Sequence, residues 1–187
     1  VFIMGLGGFL TWTAAAREIV KVHGPDTKVL PYINTINNIV TSPIFENNNN
    51  FYQSLAHKGK VFPMRLDLKE TSYCKEDTPT KAIHKPDMHM IERICSFYGI
   101  ENPELRCELY FTEQEQQKIE TFLNVLDSSF VVIEPNSKTN YTPNRAYSFN
   151  KWQNIVNDIS KDIQVLQLGV SGSQLLDNVL ASTVVAP

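Results

Sequence analysis

The stretch from Phe130 to Trp152, FVVIEPNSKTNYTPNRAYSFNKW, decides how the chain is read. A short apolar run, FVVIE, is followed by a polar segment and then by SFNKW, where helical spacing of apolar residues begins. Four or five consecutive apolar residues bounded by a proline fit a strand buried on both faces, as in parallel sheets. Trp152, Ile155, Val156 and Ile159 then recur at helical spacing, so a helix is expected from about Ser148 to Asp162. Val165 to Leu168, stopped by Gly169, supplies the next strand. Strand, loop, helix, strand is a βαβ unit, and its strand-to-helix loop is where open α/β sheets hold phosphorylated ligands. Lys138 and Arg145 lie in that loop among Asn136, Ser137, Thr139, Asn140, Thr142 and Asn144. They fit an anion-binding loop or ordinary solvated charges. Glu134 fits a structural role, accepting backbone N–H bonds of the loop. Tyr147 and Trp152 fit core packing better than base stacking.

Working outward, the chain opens the same way near its start. Val1 to Met4 is expected as a strand, Gly5-Leu6-Gly7-Gly8 as a tight turn, and Thr11 to His23 as a helix with Trp12, Ala15, Ala16, Ile19 and Val22 on its buried stripe. Gly24 caps it, Pro25 blocks continuation, and Lys28 to Ile33 is the second strand. Residues 34–50 read as short strand pieces and turns, Phe51 to His57 as a short helix, Lys60 to Leu68 as a strand, and 70–86 as a surface loop. Asp87 to Tyr98 is expected as a helix N-capped by Asp87, burying Met90, Ile91, Ile94 and Phe97 and ended by Gly99. Leu105 to Phe111 reads as a strand. A capping box, Thr112 with Glu115, starts a further helix that should bury Ile119, Phe122, Leu123 and Leu126. The fold class expected is α/β with two Rossmann-like domains. The first would span 1–127 and the second, truncated, 128–187. The chain reads as a piece of a longer protein, cut at both ends.

Composition narrows the function classes. Of 187 residues, 42% are hydrophobic, enough for a real core, and the net charge is −3. A chain with that balance lacks the basic excess of bulk nucleic-acid binders. No apolar run is long enough to span a bilayer. Three cysteines, Cys74, Cys95 and Cys107, with no C-x-x-C spacing read as reduced thiols, and the scattered histidines do not suggest a metal site. GLGGFL fails as a dinucleotide fingerprint. Leu10 stands at the third glycine position, and the second strand ends in Tyr32-Ile33-Asn34 with no acid.

Four segments in order carry a resemblance: GLGGFLTWTAAAREIVK, SPIFENNNN, PDMHMIERICSFYGI and VVIEPNSKTNYTPNRAYSFNKWQNIVNDI. Together the chain resembles the heptosyltransferase-like glycosyltransferases of family 9, whose fold is GT-B. The resemblance implies an inverting, metal-independent enzyme without a cofactor. Such an enzyme moves a sugar from a nucleotide-diphosphate sugar to a glycan or glycolipid acceptor such as lipopolysaccharide. It implies a cytoplasmic protein, peripheral at the inner membrane, with no nucleic-acid partner. Arg145 falls on the family's basic residue that contacts the donor diphosphate. Tyr147 takes the following aromatic position and Trp152 the later tryptophan. Asn136, Ser137 and Lys138 lie in the donor-side loop, and Gly7 in the turn facing the acceptor. Gly8 falls where the family carries its acidic base, which leaves the catalytic residue unknown, with Glu70, Asp87 and His89 as weak substitutes. A non-catalytic nucleotide-sugar or glycan binder is the alternative, and a nicotinamide-dependent oxidoreductase a weaker one.

Overall fold

The computed structural model describes residues 6–54, 56–68, 71, 88–127, 129–136, 147–169 and 172–183. The strand expected at Val1–Met4 and the cap at Asp87 lie outside them. The chain is α/β, with two short parallel sheets, and divides into two compact units, Val1–Thr112 and Glu113–Pro187. The helix at Glu113–Leu123 therefore groups with the second unit.

In the first unit, helix α1 (Leu6–His23) leads through a short turn to strand β1 (Lys28–Tyr32). Gly24 ends the helix at φ +99°, its N–H bonded to Val20 O at 2.9 Å. Helix α2 (Pro43–Glu46) is capped by Ser42 Oγ, which accepts from Ile44 N–H at 3.3 Å. Strand β2 (Val61–Arg65) pairs parallel with β1, Lys28 opposite Val61 and Tyr32 opposite Arg65. Helix α3 (Met90–Phe97) packs against α1. The shared core holds Trp12, Ile19, Val29, Phe45, Phe51, Met64, Ile91 and Ile94.

Several expectations need correction here. Of the turn expected at Gly5–Gly8, Gly5 lies outside the described residues and the rest is helix, because α1 begins at Leu6 and takes in Gly7 and Gly8. Phe9 meets Phe45 edge-on at 5.5 Å and Leu10 packs on the core, so tertiary contacts hold the first turn. They offset the roughly 1 kcal/mol that each glycine costs a helix. Nor is α1 half-exposed. Every residue from Trp12 to Ile19 is buried, while Val22, beyond the packed layer, is 63% exposed. The described residues of 51–57 form no helix. Phe51 bridges to Val29, whose N–H bonds to Asn50 O at 2.8 Å and whose carbonyl accepts from Tyr52 N–H at 2.9 Å. That occupies the edge of β1 away from β2.

The residue capping α3 is His89. Its Nδ1 accepts from Ile91 N–H at 3.2 Å, and Glu92 returns the bond to His89 N–H at 2.8 Å. Cys95, not Phe97, completes the buried face of α3; Phe97 is 44% exposed.

Residues 105–111 form no strand. Their segment is fixed to α1 by side chains instead. Arg17 donates to Glu104 O at 2.7 Å and Arg106 O at 2.8 Å, and Glu108 N–H donates to Thr13 Oγ1 at 2.8 Å. Backbone groups satisfied this way have no need of a ladder.

In the second unit, helix α4 (Glu113–Leu123) forms as expected, but none of its residues is buried; Ile119 and Leu123 are exposed. Strand β3 (Phe130–Ile133), helix α5 (Phe149–Ile159) and strand β4 (Gln164–Gly169) make the βαβ unit, with Phe130 opposite Gln164 and Ile133 opposite Gln167. Strand β5 (Leu180–Thr183), not foreseen, pairs parallel with β4. The core is small: Ile133, Val156, Val165 and Leu176 are buried, with Trp152 and Ile159 packed against them. Ile155 is 40% exposed, on the outer side of α5.

Cys95 and Cys107 are both free thiols, as the sequence reading expects, and their settings differ. Burial pushes the Cys95 thiol up to about 11; Cys107 is an exposed residue whose thiol is also raised by partial burial, but reagent can reach it. Only the thiolate reacts, so an alkylating reagent at neutral pH should label Cys107 and leave Cys95 unmodified until the unit opens. Peptide mapping after a timed pulse checks this. Equal labelling of both would contradict the packing of α3 on α1.

Candidate functional site

Parallel strands collect ligands at their carboxyl ends, so each unit offers one such edge. In the second unit, β3 ends at Ile133 and β4 at Gly169. Glu134 follows β3, and its Oε1 accepts from Asn136 N–H at 3.2 Å, the structural role expected of it. Asn136 then turns toward β4. A Cβ on Gly169 would sit 3.5 Å from Asn136 Nδ2 and 3.0 Å from Ser173 Oγ, so glycine keeps this junction open. Among the described residues, Asn136 Nδ2 is buried without a hydrogen-bond partner. A buried amide donor left unmatched costs free energy until an acceptor arrives.

The amino end of α5 lies in the connection from β3 to β4. Ser148 is its N-cap residue, yet makes no side-chain cap hydrogen bond, and the first turn holds no acid. The first N–H groups of a helix have no partners within the helix, and its dipole favours an anion. Lys151 in that turn lies over the Tyr147 ring at 5.5 Å, and Tyr147 meets Trp152 edge-on at 5.8 Å. Trp152 packs on the core, as expected; Tyr147 is 49% exposed and is not core. Ser137, Lys138 and Arg145 lie outside the described residues, on the segment joining Asn136 to Tyr147.

The first unit's carboxyl edge holds residues the sequence reading passed over. Arg65, the last residue of β2, forks onto Asp67, Nε to Oδ1 at 2.7 Å and Nη2 to Oδ2 at 3.4 Å. Asp67 Oδ2 also accepts from Asn34 N–H at 3.1 Å, and Asn34 sits just past β1 at φ +58°. Tyr98 hydroxyl accepts from Arg65 N–H at 2.9 Å. The Arg65 guanidinium and the Asn34 amide hold Asp67 below the usual carboxylate range despite its burial. Burial pushes Tyr98 up to about 12. The edge therefore carries a fixed carboxylate and cation. The R-x-D spacing at the end of an alternating segment was the available signal for it.

Gly7 and Gly8, assigned by resemblance to an acceptor-side loop, stand in the first turn of α1 instead, Gly8 O accepting from Thr11 Oγ1 at 2.7 Å. His89 is committed as a helix cap through Nδ1. Glu70 and Asp87 lie outside the described residues.

The chain matches no protein-family model, no curated protein and no solved structure.

Among the described residues, no three His, Cys, Asp or Glu side chains gather as a metal-binding group, and no helix is long and apolar enough to cross a membrane.

Proposed function

We propose that the chain belongs to a GT-B glycosyltransferase with Rossmann-like halves. It would transfer a sugar, heptose by resemblance, from a nucleotide-diphosphate donor to a surface glycan or glycolipid acceptor, with inversion and without a metal. The observation carrying the reading is the unmatched Asn136 amide at the carboxyl ends of β3 and β4, in the connection that ends at the uncapped start of α5. A diphosphate supplies the acceptor oxygens that both lack. Lys138 and Arg145 lie in that same connection and would neutralise charge as the diphosphate leaves.

The acceptor belongs on the first unit in this reading. There Asp67, fixed by Arg65, offers an acceptor for sugar hydroxyls. The acceptor hydroxyl must lose a proton to some base. Gly8 cannot take it, and Asp67, held ionised by its partners, is a better hydrogen-bond acceptor than base. Gly8 thus favours, as a second reading, a nucleotide-sugar binder without transfer. Location in the cytoplasm, at the inner-membrane face, belongs to the same proposal.

Calorimetric titration with ADP- and UDP-linked sugars tests the donor site. Arg145→Ala should weaken donor binding by about tenfold or more, the loss expected for one charge-assisted contact to a phosphate. Asn136→Ala should weaken it less. Unchanged affinity in both variants would remove the donor site from this loop. A product assay with a glycan acceptor separates transfer from binding alone.

A further inference from the structure

We infer that residues 105–109 are a pairing edge for a second copy of this chain, the two segments joining as antiparallel strands. Residues 103–112 run without turn or bend. On the α1 side, Arg17 donates to Glu104 O and Arg106 O, and Thr13 Oγ1 accepts from Glu108 N–H. Successive residues of an extended chain turn their backbone groups to opposite sides. The N–H and C=O groups of Leu105, Cys107 and Leu109 therefore face away from α1. Among the described residues, none of these groups has a backbone partner.

The strand edges of the same unit are guarded. Phe51 and its neighbours occupy the outer side of β1. On the outer side of β2, Pro63 has no N–H, and the Tyr98 hydroxyl both accepts from Arg65 N–H and donates to Arg65 O. Among the described residues, nothing guards 105–109 in this way. Leu105, Leu109 and Phe111 are 49%, 47% and 47% exposed, and they alternate along the segment with Cys107, also exposed. An added strand would cover both the open edge and this apolar row.

Charge order selects the partner. Leu105-Arg106-Cys107-Glu108-Leu109 reads apolar, cation, thiol, anion, apolar, and so complements its own reverse. A twofold axis that pairs an edge with itself makes the strands antiparallel. Outward-facing residues must meet outward-facing ones. For Leu105, Cys107 and Leu109 to meet among themselves, the axis passes through 106, 107 or 108. Through 106, Arg106 meets its own copy and Glu104 meets Glu108. Through 108, Glu108 meets its own copy. Through 107, Arg106 meets Glu108 on both sides of the axis, Leu105 meets Leu109, and Cys107 meets its copy. Like charges directly opposite are destabilising, so the register through Cys107 is the favoured one. An unrelated extended peptide lacks this match unless it carries the same charges in reverse. Two five-residue strands make a small contact, so the dimer is weak, and dilute protein leaves Cys107 open to reagent. Pairing of this kind is independent of sugar transfer.

Sedimentation equilibrium of the Cys74→Ser chain, up to about 1 mM protein, tests the pairing and should show dimer growing with concentration. Arg106→Glu sets Glu against Glu108 on both sides of the axis and should weaken association by about tenfold. The Arg106 side chain is 71% exposed, so the fold of this variant should persist by circular dichroism. Opposed residues in such a pair have Cα atoms about 5.5 Å apart, within disulfide reach. Oxygen with copper–phenanthroline should therefore join Cys107 to Cys107 of a second copy, two thiols giving one disulfide while oxygen takes up the electrons and protons. Moving the thiol checks the register. Chains carrying Leu105→Cys with Cys107→Ala, and chains carrying Leu109→Cys with Cys107→Ala, should cross-link when mixed and not singly. The pairing is overturned if the chain stays single at the highest concentration, if Arg106→Glu dimerises as the parent does, or if either shifted-thiol chain cross-links alone as readily as the mixture.

Discussion

Arg17→Ala is expected to destabilise the first unit by about 3–5 kcal/mol, the cost of removing one partner from a buried charge cluster. Arg17 is 7% exposed at the middle of α1. Its Nε donates to Glu18 Oε1 at 2.8 Å, and Nη1 lies 3.5 Å from Glu108 Oε1. The same guanidinium holds the carbonyls of Glu104 and Arg106. Alanine would leave Glu108 without its buried cation and two carbonyls without donors. Lys21 would still hold Glu18 at 2.9 Å, which limits the loss. Arg17→Lys should recover only part of it, because an ammonium cannot span two carbonyls and a carboxylate in one plane. Lys21→Ala is the control. That side chain is 51% exposed, and its removal should cost under about 1 kcal/mol.

Hydrogen exchange read on peptides from residues 6–23 and 104–112 reports the change, with unit-two peptides as the internal reference. Protection unchanged in Arg17→Ala would mean the cluster contributes little.

The same cluster sets an acid limit. Burial alone would raise the Glu18 carboxyl, but its bonds to Lys21 and Arg17 outweigh that and leave it lowered. Asp67 is lowered as well, chiefly by Arg65. A carboxylate lowered in the folded state contributes stability above its unfolded pKa and loses it as pH falls through the folded one. The first unit should therefore weaken below the ordinary carboxylate range, and Arg17→Ala should flatten the Glu18 part of that slope.

Gln167→Leu should cost the second unit about 1–3 kcal/mol, chiefly the buried Leu176 N–H left without an acceptor. Gln167 is fully buried in the middle strand, opposite Ile133 and Ala181. Its Nε2 donates to Gln174 O at 2.8 Å, and its Oε1 accepts from Leu176 N–H at 2.9 Å. One amide thus ties down the connection from β4 to β5 and seats Leu176 in the core. Leucine keeps the volume but meets neither group. With so small a core, this unit should open before the first in urea, visible as early loss of exchange protection in β4 and β5. Retained protection would show that the connection is held by other contacts.

The βαβ unit was legible because its cues are local. An uninterrupted run, FVVI, marks the strand, although it is not covered on both faces as expected, since Val132 is 48% exposed and only Ile133 is buried. The helical period of Trp152, Val156 and Ile159 reports one packed side. Gly24 and Gly99 ended their helices as read, since only glycine takes those backbone angles cheaply. The site was legible in part. Residues 137–146 stand out by composition, but the open amide of Asn136 beside Gly169 depends on where β4 ends.

Composition, period and glycine placement by themselves determined an α/β chain with a parallel βαβ unit near residue 130, because those signals depend on neighbours within one turn of helix or two residues of strand. Only the tertiary structure decided that the middle of α1, Trp12 to Ile19, is enclosed on every side, that residues 105–111 lie on Arg17 and Thr13 instead of in a sheet, and that Asp67 is held by Arg65 and Asn34. Those outcomes turn on which distant donor reaches which carbonyl or carboxylate, and no local pattern encodes that pairing.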